Sequence, residues 1–301
     1  MNCSSEINAN VGFFQFIFSI PIFIIGIVLN ALALWAFCWK LRKWTETIVY
    51  MANLAVSDLV LLFSLPFKIV SYRHRWFNES LCSFVESLYF VNMYVSIFII
   101  TCISIDRYIA IRHPFSANVL RSPMKAGMLS AAVWIIVCLW SIPVYVKYHA
   151  QPSNETSSNC FRQVSFDTDI SITISLEIVG FIIPLITMTF CSVQIIQTLK
   201  QSNLNAREFD TTRTIRIITA NVTIFIICFT PVHIGYFLQW IPAIREDCNN
   251  CNNLRLFMDI APCIANINCC LDAFGYYFVS AEVRQLCKFK ITQRRDSESN
   301  K

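Results

Sequence analysis

The stretch TIVYMANLAVSDLVLLFSLPF, residues 47–67, carries one charged side chain, Asp58, in a run that is otherwise almost wholly apolar. A bilayer-spanning helix requires roughly 20 predominantly apolar residues, and this run has that length and composition. Asp58 lies near its middle. An ionisable group at membrane depth is costly enough to mark a functional site.

Working outward, six further stretches read the same way. Val11 to Trp39, Ser87 to Ile105, Ala126 to Val146 and Ile217 to Ile244 contain no Asp, Glu, Lys or Arg; Ile170 to Leu199 has only Glu177, and Leu256 to Phe278 has Asp259 and Asp272. The sequence therefore predicts an all-α membrane protein built as a seven-transmembrane helix bundle. The first stretch is longer than a signal-peptide core and lacks a basic flank, so it is read as a retained helix. Composition agrees. Of 301 residues, 55% are hydrophobic and 14% charged, against roughly 25% charged in soluble domains. The connections are too short for a separate catalytic domain, and no internal repeat suggests a transporter of two halves. The expected organisation is an N-terminal extracellular segment over 1–10, the bundle over 11–279, and a cytoplasmic amphipathic helix and tail over 280–301.

Basic residues set the orientation. With the N-terminus outside, the cytoplasmic connections and tail receive most of the Lys and Arg, including Arg121, Lys125 and the run from Arg284 to Lys301, as the positive-inside rule requires. The net charge of +5 is thus explained by orientation, and no nucleic-acid partner is expected. The sequons at Asn2, Asn78 and Asn154 then fall outside, where glycosylation is expected. Cys82 and Cys160 share that oxidising side and are read as a disulfide; Cys3 with Cys248 or Cys251 is read as a second. Cys287, beside Arg284, Lys288 and Lys290, is a candidate palmitoylation site. The mid-span cysteines read as apolar filler, and the isolated Cys248/Cys251 pair does not make a zinc site.

Asn30, Leu54-Ala55 with Asp58, Asp106-Arg107-Tyr108, Trp134, Pro184 and Cys228-Phe229-Thr230-Pro231 follow one another in a fixed order. From Gly26 to Cys287 the chain resembles a rhodopsin-like (class A) G protein-coupled receptor. Finer text, Leu271 to Tyr277 with Asn268-Cys269-Cys270, resembles both the lysophosphatidylinositol receptor and the related kynurenic-acid-responsive orphan receptor; Trp44 to Thr47 resembles the second, and Ser64 to Lys68, Glu86 to Val91 and Pro231 to His233 resemble the first. Lys68 and Glu86 favour the first. Three positions depart from the wider pattern: Asp272-Ala273 replaces Asn-Pro, Phe229 replaces Trp, and Ser192 replaces Tyr. Ala273 removes a proline kink.

The resemblance implies a multi-pass plasma-membrane receptor, not an enzyme, with a heterotrimeric G protein, the lipid bilayer and an amphiphilic anionic ligand as partners. Its ligand residues would be Lys68, Glu86, Tyr89, Phe90, Met93, Glu177, His233, Tyr236 and Gln239, an apolar pocket with a few charges. Lys68 would take a phosphate or carboxylate head, or pair with Glu86. Kynurenic acid or a similar small aromatic carboxylate is the alternative ligand. Asp58 and Asp272 cannot both be ionised cheaply in low dielectric without a cation or a proton. With Ser96 and Asn268 beside them, the resemblance implies an allosteric sodium site; the alternative is one protonated carboxyl, and no other cofactor is expected. Asp106, Arg107, Tyr108 and Tyr276 would form the G protein switch. A reading from another class is a proton-conducting membrane protein that uses the buried carboxylates. A retinal protein is excluded, because no Lys lies between Leu256 and Phe278.

Overall fold

The computed structural model describes residues 9–40, 44–71, 79–150, 170–202, 208–241, 244 and 247–273. The α-helices are α1 Ala9–Trp35, α2 Glu46–Ser71, α3 Glu79–Arg112, α4 Pro114–Leu120, α5 Pro123–Ala150, α6 Ile170–Glu177, α7 Ile183–Ser202, α8 Glu208–Leu238 and α9 Cys248–Asn266, with helix resuming over 268–273. A π-helical turn, Ala36–Lys40, follows α1, and another, Ile178–Ile182, joins α6 to α7. Seven helical stretches are long and apolar enough to cross a membrane, namely Val11–Trp39, Glu46–Val70, Ser83–Arg112, Pro123–Pro143, Thr173–Gln201, Ile215–Leu238 and Asn249–Ala273. In lipid a helix satisfies every backbone polar group within itself, which is why these apolar runs fold as they do.

The third span is the axis of the bundle. It packs against α2, α5 and α7, while α1 packs on α2 and α9, and α8 on α7 and α9. Its side chains Tyr94, Val95, Ile97 and Ile99 are fully buried. The outer surfaces of the first and fourth spans remain apolar, as at Phe13, Ile17, Ile135 and Leu139, because lipid is as good a solvent for them as a protein core.

Several span boundaries differ from the sequence expectation, and two of them have a local cause. The seventh begins at Cys248 rather than Leu256. Its first turns hold Asn249, Asn250, Asn252 and Asn253, which depress hydropathy but do not break the helix, and Asp247 caps it by accepting from the Asn249 backbone N–H at 3.0 Å. The sixth ends at Leu238, in a turn at Gln239 and Trp240. Pro242 follows shortly, and the residue before a proline is pushed out of the helical region.

The π turn in the fifth span has a local cause. Pro184 has no N–H to give the Gly180 carbonyl, and its ring would crowd that oxygen. Widening the turn accommodates the proline. It also turns Gly180 toward the third span, where a side chain at this position would run into the Tyr94 ring. In the seventh span, the α-helical ladder is interrupted at Ile267, whose N–H bonds the Ile264 carbonyl at 3.1 Å, three residues back. An irregularity therefore persists upstream of Ala273 without a proline at that position. The amphipathic helix expected over 280–301 lies outside the described residues.

Candidate functional site

Three polar clusters are spaced along the bundle. At the end opposite Asp106, the last turns of α2 meet the first turns of α3. Lys68 is half-buried there, with Nζ 5.2 Å from the centre of the Tyr89 ring, a cation over an aromatic face. Along α3, Glu86, Phe90 and Tyr94 recur at intervals of four, so they share one face; Met93 is buried beside them. Phe90 and Tyr94 are 4.6 Å apart between ring centroids.

Below this the floor is closed by His233. Its Nδ1 lies 3.0 Å from Glu177 Oε1. The ring stacks on Phe181 at 4.1 Å and 11°, and presents edges to Tyr94 at 5.9 Å and Tyr236 at 6.0 Å. His233 Nε2 and the Tyr94 hydroxyl are buried without a hydrogen-bond partner, so the floor keeps polar capacity in an otherwise aromatic wall. Gln239 lies in the turn after α8, where its backbone N–H donates to the Gly235 carbonyl at 3.2 Å.

Sequence reasoning marked Glu177 and His233 but missed Tyr94 and Phe181, which complete the floor. Both were within reach of helical spacing. Tyr94 is one turn after Phe90, and Phe181 lies four residues after Glu177.

The second cluster is at mid-depth. It holds Asp58 of α2, which is fully buried, and Asp272 of the seventh span. Asn268 Nδ2 donates to Asp272 Oδ2 at 2.7 Å, and Asn30 Nδ2 donates to the carbonyls of Gly26 at 3.0 Å and Cys269 at 2.9 Å. These donations leave the amide oxygens of Asn30 and Asn268 buried and without a partner, as is the Ser96 hydroxyl. Buried polar atoms are normally bonded. Carboxylates, amide oxygens and hydroxyls are the oxygen donor types that suit a hard cation.

The third cluster lies at the Asp106 end. Asp106 is 6% exposed. Both its oxygens accept from the guanidinium of Arg121, Oδ1 from Nε at 2.6 Å and Oδ2 from Nη2 at 2.8 Å, and Thr47 Oγ1 donates to Oδ2 at 3.3 Å. The hydrogen bond it donates to Asp106 outweighs partial burial and raises the Arg121 pKa above its ordinary value, so this cation stays charged. Arg107 is half-buried on the same turn of α3. Tyr108 turns away toward His113, its hydroxyl 3.3 Å from Nε2. Arg121 was read from sequence only as one of the basic residues that orient the chain.

Several expected sites fall outside the described residues: Tyr276, Cys160, Cys3, Cys287 and the sequon residues Asn2, Asn78 and Asn154, together with the side chains of Cys82 and Cys248. Cys251 is buried in the first turns of α9.

Residues 29–276 match the family model of the 7 transmembrane receptor (rhodopsin family). The chain is 38% identical to mouse G-protein coupled receptor 55, with 95% of this chain and 92% of the relative covered. It is 34% identical to mouse G-protein coupled receptor 35, over 95% and 92% of the two chains. Chicken lysophosphatidic acid receptor 6 is 35% identical over 95% and 96%.

Proposed function

The chain belongs to the rhodopsin family of seven-transmembrane receptors, and from that premise we propose that it binds a lysophospholipid-type anionic ligand in the half of the bundle that holds Lys68. Occupation of that site would drive nucleotide exchange on a heterotrimeric G protein. The observation that carries this reading is the ammonium of Lys68 held over Tyr89 on α3, the helix that also carries the buried apolar side chains of Phe90 and Met93, the wall this reading assigns to the tail. A phosphate head finds a cation there, and an acyl chain finds the wall. Lysophosphatidic acid receptor 6, a relative of this chain, is by its name a receptor for the same ligand class.

The three clusters divide the work. Ligand contacts are made above, an ion is held at mid-depth, and a cytoplasmic switch lies below. In the N-outside orientation Asp106, Arg107 and Tyr108 face the G protein. A sodium ion would be held by Asp58 and Asp272, with Ser96 and Asn268 supplying neutral oxygens. The charge it supplies would let both carboxylates remain ionised. Receptor-family membership leaves a proton relay through these carboxylates without support, and no group here is assigned a catalytic role.

A small aromatic carboxylate is the second reading, favoured by the floor of stacked rings at Phe181 and His233. The experiment that separates the two is G protein activation in cells expressing the chain, challenged in parallel with lysophosphatidylinositol and kynurenic acid. The lipid reading expects a response to the first and none to the second. Activation by kynurenic acid alone would reverse the assignment.

A further inference from the structure

Arg121 lies between α4 and α5, outside the spanning segments. Its side chain nevertheless reaches back to the end of the third span. It meets both oxygens of Asp106, at 2.6 and 2.8 Å, and its Nη2 is also 3.6 Å from Glu46 Oε2 in the first turn of α2. Locally, the Arg121 backbone N–H closes α4 by donating to the Ala117 carbonyl at 3.0 Å, and Lys125 Nζ donates to the Val119 carbonyl at 2.7 Å. The loop that carries the guanidinium is therefore itself built, and the fork arrives in a fixed orientation. With Thr47 also donating to Oδ2, the Asp106 carboxylate takes three hydrogen bonds from outside its own helix.

We propose that Arg121 is a positioning residue of the cytoplasmic switch: it supplies the countercharge of Asp106, so that Arg107 can turn to the G protein without stranding a buried carboxylate. Removing one partner of a buried ion pair costs more than the pair contributes, because the other charge is left uncompensated. In a chain lacking Arg121, Asp106 would retain Arg107 as its adjacent cation and hold it in the resting position. A bidentate fork is what the geometry uses, and lysine, a point charge, reproduces it only in part. This inference rests on the reading of the chain as a receptor that drives nucleotide exchange.

The test is uptake of a non-hydrolysable GTP analogue by membranes carrying the full chain and its variants at matched surface expression, without ligand and with lysophosphatidylinositol. Arg121→Gln is expected to lower ligand-free uptake and to raise the half-maximal concentration about tenfold, the factor that corresponds to about 1.4 kcal/mol. Arg121→Lys should fall between it and the wild type. A merely structural role would persist whatever stands at position 106. Here Arg121→Gln should have no further effect in an Asp106→Asn background, where no charge needs compensating. Higher ligand-free uptake in Arg121→Gln, or an equal loss in the Asp106→Asn background, would overturn the proposal. A wild type silent in both conditions would sink the receptor reading and this inference with it; a responsive wild type with Arg121→Gln unchanged would sink the inference alone.

Discussion

The imidazole of His233 lies flat on Phe181, 4.1 Å between centroids and 11° from parallel, while its Nδ1 meets Glu177 Oε1 at 3.0 Å. One ring thus joins the fifth and sixth spans by both stacking and a polar bond. The fifth span supplies both contacts because Glu177 and Phe181 are four residues apart, on one helical face.

Replacing His233 by Phe keeps a flat ring against Phe181 but leaves Glu177, whose side chain is 14% exposed, without this bond. A charged group that loses its partner while largely buried costs about 2 kcal/mol or more. Thermal unfolding in detergent should show a lower midpoint for His233→Phe. Adding Glu177→Leu should recover most of the loss, since removing both polar partners costs far less than removing one.

Gly180 admits the Tyr94 ring because it has no side chain. A methyl group there must displace a fully buried ring, and overpacking of this kind costs about 1–3 kcal/mol. Gly180→Ala should reduce folded receptor at the cell surface, and Tyr94→Leu in the same chain should restore part of it.

If an ion is shared by Asp58 and Asp272, sodium should alter agonist potency in the wild type. Concentration–response curves in sodium chloride and in choline chloride at equal ionic strength are expected to differ. In Asp272→Asn the two curves should coincide, because one of the two carboxylates that require the cation is gone. A salt effect retained in the variant would move the ion elsewhere.

The spans were legible wherever the signal was local. The hydropathy reading of Val11 to Trp39 falls within the continuous helical stretch formed by Ala9–Trp35 and Ala36–Lys40. The seventh span was misplaced at its start, since the asparagines after Asp247 lower hydropathy while the cap that starts the helix involves only two residues. Site residues were legible as types but not as pairs. Glu177 and His233 stood out as polar groups in apolar runs, yet nothing in the pattern says that they touch across 56 positions. Tyr94 and Phe181 carry no such mark, because an aromatic in an apolar run at helical spacing is usually packing. Arg121 was the hardest to find. It lies 15 residues from Asp106, and the path between them runs through the end of α3, the short α4 and a turn, whose combined geometry no periodicity records.

The central claim is that Lys68 receives the anionic head of the ligand. It is tested most directly by the concentration–response of G protein activation to lysophosphatidylinositol in cells expressing the wild type or Lys68→Ala at equal surface density. A charge-assisted contact of about 1.5–3 kcal/mol predicts a loss of potency of roughly ten- to a hundredfold, with Lys68→Arg retaining most of the response. A wild-type response that Lys68→Ala leaves unchanged would contradict the account.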